Sequence, residues 1–160
     1  RYHSYPLDIP KCYLTSSFMM YLLSYKLVST YIQEKKPVLI FVPTIRLTTI
    51  AYRYFKILGI KSKAVSSKTK NVHQLINQLK TNKLDALITT TILERGVTFK
   101  HVQVIVIAAD DPIYNTPSLV QIAGRVGRSA DDRDGLVLFC YHKYTKNIRQ
   151  AMKQIRMMNK

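Results

Sequence analysis

The chain has 160 residues, 47% of them hydrophobic, enough for one domain with a proper core and too many for a disordered segment. Net charge is +16, from 25 Lys and Arg against 9 acids, and no acid falls between Lys35 and Leu84. Such an imbalance favours a polyanionic partner, most simply nucleic acid, and no apolar run reaches the roughly 18 residues of a membrane span, so no membrane insertion is expected.

Residues 1–14, "RYHSYPLDIPKCYL", hold two prolines and little periodicity, and read as an extended lead-in that ends in a short strand. Thr15, Ser16 and Ser17 offer N-caps for a helix running to about Glu34. "VLIFVPT" is a continuous apolar run of the kind found in strands buried on both faces. Thr44 can cap the next helix, with Leu47, Ile50, Ala51, Tyr54 and Leu58 as its expected buried stripe and Gly59 as its stop. "KAVSS" follows as a strand, and Val72, Leu75, Ile76 and Leu79 then mark an amphipathic helix. "DALITTT" and "VQVIVIAA" are two further strands. A helix is expected over Pro117 to Ala123, then the strand "GLVLFCYH", then a basic helix carrying Ile148, Met152 and Ile155.

Strands alternating with helices imply βαβ units and an α/β fold with a parallel sheet covered on both faces. Ligands of such sheets gather at the carboxyl ends of the strands. Thr44, Ser66, the threonines of "TTTILERGVTF" (89–99) and the pair Asp110-Asp111 all fall at such ends, so one functional rim is expected. Hydroxyls can donate to phosphate oxygens, and Gly96 admits close backbone approach. Threonine also suits strands and helix caps without any ligand.

"LVQIAGRVGRS" (119–129) carries Arg125 and Arg128 three apart, where one helical turn would point both guanidinium groups, which suit phosphate, the same way. Yet no G-x-x-x-x-G-K-[ST] loop is present to cradle a nucleotide. Cys12 and Cys140 show no metal or redox spacing and are expected to be buried free thiols of a cytosolic protein. The chain shows no signal peptide and no initiator Met, and is expected to be a fragment.

"QIAGRVGR" resembles motif VI of the superfamily 2 helicases, "TTTILERG" their motif V and "VLIFVPT" their motif IV. Within that superfamily, "ITTTILERGVTFKHVQVIVIAADDP" and "LVQIAGRVGRS" resemble the ComFA family of late-competence ATPases of DNA uptake. The resemblance implies a RecA-like three-layer α/β/α sandwich with a mainly parallel central sheet. It implies that residues 15–160 are the second RecA-like domain and residues 1–14 the join to a first. ATP and Mg2+ would be bound mainly by that N-terminal domain, which supplies the phosphate loop and the magnesium-binding acids. Arg128 would be the arginine finger on the γ-phosphate, with Arg125 beside it. Gln121, Gly124 and Gly96 would lie on the ATP-binding side, and Thr44, Ser66 and Thr90 on the backbone of single-stranded DNA. Asp110 and Asp111 are read as structural or interdomain. Thr98 stands where many relatives have an acid on the ribose, so that contact is not carried over. The partners implied are single-stranded DNA, the N-terminal domain and other DNA-uptake proteins, in the cytoplasm at the inner face of the membrane. Two other readings fit the same residues: a primosomal or recombination helicase, and a nucleic-acid-binding module without ATP coupling.

Overall fold

The computed structural model describes residues 11–66, 69–90, 102–124 and 136–158. In chain order they form β1 (Lys11–Leu14), α1 (Ser17–Gln33), β2 (Val38–Phe41), α2 (Ile45–Ile57), β3 (Ser62–Val65), α3 (Val72–Lys80), β4 (Ala86–Thr89), β5 (Gln103–Val106), α4 (Thr116–Ala123), β6 (Val137–Tyr141) and α5 (Lys146–Met158). The strands make one sheet in the order β1-β6-β5-β2-β4-β3, and every pairing is parallel. The short strand expected at the end of the lead-in is β1, seated against β6.

Alternation along the strands divides the core in two. Leu39, Phe41, Leu87, Val104, Val106, Val137 and Phe139 face one side, where α3, α4 and α5 bring Leu79, Leu119 and Ile155. Val38, Ile40, Ile88, Ile105 and Leu138 face the other, where α1 and α2 bring Met20, Val28, Ala51 and Phe55. The result is a three-layer α/β/α sandwich. Among the described residues, no helix is long and apolar enough to cross a membrane.

Two expectations need correction. The buried stripe of α2 is Thr48, Ala51 and Phe55, whereas Ile50 and Leu58 are exposed. Thr48 tolerates burial because its hydroxyl donates to the Ile45 carbonyl, which leaves a nearly apolar surface to the sheet. Cys12 is only half-buried, and it sits on the opposite sheet face from buried Cys140, so no disulfide joins them. Burial pushes the Cys140 thiol up to about 12, with a smaller contribution from Cys12.

Helix α2 ends as expected at Gly59, whose φ of +82° is left-handed. The Gly59 N–H donates to the Lys56 carbonyl and the Ile60 N–H to the Phe55 carbonyl, a Schellman closure that also buries Ile60. Among the described residues, nothing beyond its chain neighbours lies within 4 Å of where a Cβ would sit. Gly59→Ala therefore meets only the conformational penalty, and chemical denaturation should show a loss of about 1–2 kcal/mol.

Candidate nucleotide and nucleic-acid rim

All six strands point their carboxyl ends to one edge of the sheet. In register, Phe41 of β2 lies opposite Thr89 of β4 and Val106 of β5, and Val65 of β3 lies opposite Thr89. Ser66 and Thr90 are the next residues out from β3 and β4, and Thr44 stands three beyond the end of β2. The structure thus brings Ser66, Thr90 and Thr44 to three adjacent strand ends. At the usual strand spacing they form a row about 10 Å across.

Each is held by local bonding. Thr44 is the exposed N-cap of α2, and its hydroxyl accepts the Leu47 N–H at 3.2 Å. A hydroxyl that accepts still has its proton to donate, so capping leaves Thr44 able to bind a phosphate oxygen. Ser66 is half-buried and tied into a turn: its N–H donates to the Thr69 hydroxyl at 2.9 Å, and the Thr69 N–H returns to the Ser66 carbonyl at 3.0 Å. Thr69 is the residue here that the sequence reading missed. Thr89 is fully buried, and its hydroxyl donates to the Thr90 carbonyl at 3.0 Å. That bond engages Thr89, and Thr90, the next residue out, is largely buried at 8% exposure.

The connection from β5 to α4 is a braced turn. Ala108 is left-handed at φ 58°, which ends the strand before the expected "IAA". The Asp111 N–H donates to the Ala108 carbonyl, and the Asp111 carboxylate accepts the Ile113 N–H at 3.0 Å. The Asp110 carboxylate accepts the His142 N–H at 3.3 Å. Asp111 thus braces the turn, and Asp110 ties it to the chain just after β6. Tyr114 is buried beneath it, its hydroxyl pKa raised by desolvation and then by Asp111. Among the described residues, no three of His, Cys, Asp and Glu converge to hold a metal ion.

Helix α4 starts at Asn115, whose side chain accepts from both the N–H and the hydroxyl of Ser118, with Pro117 in the first turn. Leu119, Ile122 and Ala123 bury against the sheet, which turns Gln121 out to solvent. Gly124 caps the helix at φ −70° and ψ −3°, a conformation open to any residue, and it is buried. Gln121 and Gly124 are thus on a helix beyond the rim row, in the layer shared with α3 and α5. Arg125, Arg128, Gly96 and Thr98 lie outside the described residues, as do Ser67 and Thr91.

The family model described as the helicase conserved C-terminal domain matches residues 21–130. The chain is similar to competence protein ComFA of Streptococcus pneumoniae, 40% identical over 171 residues, covering 100% of this chain and 39% of that protein. ComFA of Bacillus subtilis is 38% identical over 132 residues, covering 82% of this chain and 28% of that protein. The chain therefore spans well under half the length of either relative. Among solved structures, S. cerevisiae Dbp5 bound to RNA and ADP BeF3 superposes with a TM-score of 0.66 at 19% identity, over 96% of this chain and 40% of that one. The fold is RecA-like, and its sheet is wholly rather than mainly parallel among the described strands.

Proposed function

The chain belongs to the helicase conserved C-terminal domain family, and from that premise we propose that it is the second RecA-like half of a ComFA-type, ATP-driven single-stranded DNA translocase, acting in the uptake of transforming DNA. The observation that carries this reading is the ComFA likeness at 40% identity across the whole chain. The row of Ser66, Thr90 and Thr44 at three adjacent strand ends supports it. Residues 1–14 are the join to the first RecA-like domain, entering this domain's sheet with β1 at their end, and residues 15–160 are the rest of the domain. The protein works in the cytoplasm, reaching the inner face of the membrane through other uptake proteins.

ATP would be held in the cleft between the two halves, with Mg2+ on the other half, and its hydrolysis would supply the energy for movement. Arg128 would meet the γ-phosphate and Arg125 the neighbouring phosphates, because planar, permanently charged guanidinium groups suit them. Gln121, Gly124 and Gly96 shape that side. Thr44, Ser66 and Thr90 donate to the DNA backbone, so binding should show no base preference. Dbp5, 40% of whose chain superposes on this one, is bound to both RNA and ADP BeF3, which supports a strand and a nucleotide acting on one protein that contains this fold.

Thr90→Val tests the strand side. It keeps the shape and removes the hydroxyl, so affinity for oligo-dT should fall about tenfold, the loss of a hydrogen bond to a charged group. The wild-type chain should show log K falling with log[salt] at a slope of roughly −2 to −3, and the variant should keep that slope because a hydroxyl releases no counterion. Anisotropy titrations across salt measure both. Unaffected binding, or a flattened slope, would take the strand off this rim.

A further inference from the structure

Helix α2 begins at the rim and leads away from it. Its exposed residues Arg46, Thr49, Arg53 and Lys56 are spaced i, i+3, i+7 and i+10, which places them on one helix face. Along the axis that face runs about 15 Å from the Thr44 cap end toward the C-terminus. It then meets β3, an edge strand of the sheet. There the ammonium groups of Lys56 and Lys63 converge on the ring of Tyr52, each 5.8 Å from its centroid. Twice that distance bounds their separation.

Lysines on an edge strand also block edge-to-edge pairing, and that role suffices for Lys61 and Lys63 as charges. It does not require Lys63 to gather with Lys56 on a single aromatic ring. Nor do α2 and β3 contain any carboxylate to offset the two. The two like charges lie within about 12 Å of each other, and a polyanion threaded past them relieves their mutual repulsion while releasing its own counterions. The ring face offers each ammonium group a weak cation–π contact, which favours the arrangement that gathers them beside a phosphate.

We propose that Arg46, Arg53, Lys56 and Lys63 form a cationic track for the phosphate backbone of the single strand where it leaves the rim. The track rests on the strand-binding reading above and adds to it a second surface, distinct from the hydroxyls of the rim. It also assigns the salt dependence: the rim positions the strand, and the track supplies most of the counterion release.

The test is the salt slope of oligo-dT binding by the full chain. Arg53→Gln/Lys56→Gln/Lys63→Gln should make the slope shallower by about 2, three phosphates at roughly 0.7 each, and Arg53→Gln/Lys56→Gln by about 1.4. A charge-matched control, Arg149→Gln/Lys153→Gln/Arg156→Gln, lies on α5 across the sheet and should leave the slope nearly as in wild type. A triple variant with the wild-type slope, while Thr90→Val still weakens binding, would overturn the track and leave the rim reading intact. A control that flattens the slope as much would also overturn it, since net charge alone would then be at work. A wild-type chain that does not bind oligo-dT would remove track and rim together.

Discussion

In the full-length protein, Arg128→Ala should lower kcat for ATP hydrolysis by roughly 10³-fold or more, as loss of an arginine finger does. The charge that develops on the transferring phosphoryl group would lose one of its counter-charges with the guanidinium. ATP binding should fall far less if, as proposed, the other RecA-like domain holds most of the nucleotide. Lysine at the same position should rescue poorly, since an ammonium lacks the planar fork that spans two phosphate oxygens. Steady-state kinetics with a parallel nucleotide-binding titration separates the two effects. Near-normal turnover would remove Arg128 from the active site.

Phe55→Ala should destabilise the fold by about 3–5 kcal/mol, the usual cost of deleting a fully buried aromatic ring. Phe55 has no exposed surface and is the largest side chain of the α2 stripe, beside the small Ala51 and Thr48. Its ring also meets Tyr54 edge-on at 5.3 Å, and Tyr54 in turn touches Tyr21 of α1. Ile50→Ala, at an exposed position, should stay within about 0.5 kcal/mol. Urea denaturation of the two variants therefore distinguishes the face that packs from the face first expected to pack. Comparable losses would mean that α2 is rotated from the position described.

Much of the fold was legible because its central strands are short, continuous apolar runs rich in Val, Ile and Leu, the pattern of strands buried on both faces. "VLIF" and "QVIV" are buried throughout. Helix α4 was legible to within a residue because Asn115, Pro117 and Gly124 are its start and stop signals. The α2 face was misread because Thr48 scores as polar until its hydroxyl finds the Ile45 carbonyl. The end of β5 was overextended because nothing in "VIVIAA" announces that Ala108 turns left-handed. The strand order was not legible either, since β2 sits between β5 and β4 through crossovers that leave no local trace.

The candidate site divides in the same way. A parallel sheet forces its strand ends onto one edge, so Thr44, Ser66 and Thr90 could be grouped from sequence alone. The Thr69 brace on Ser66 could not, because a turn of that kind depends on where the chain goes after β3. The basic residues of 35–84 looked scattered when counted together. The spacing of Arg46, Arg53 and Lys56 was visible in the sequence, but the arrival of Lys63 beside Lys56 needed the packing of α2 along β3.

The central claim is that this chain completes, and cannot by itself form, an ATP site coupled to single-stranded DNA. The most direct measurement is ATP turnover, with and without single-stranded DNA, by the 160-residue chain and by the full-length protein side by side. The account predicts no turnover by the chain alone, with or without DNA, and DNA-stimulated turnover by the full-length protein that Arg128→Ala abolishes. DNA-stimulated hydrolysis by the chain alone, or a full-length protein indifferent to single-stranded DNA, would contradict it.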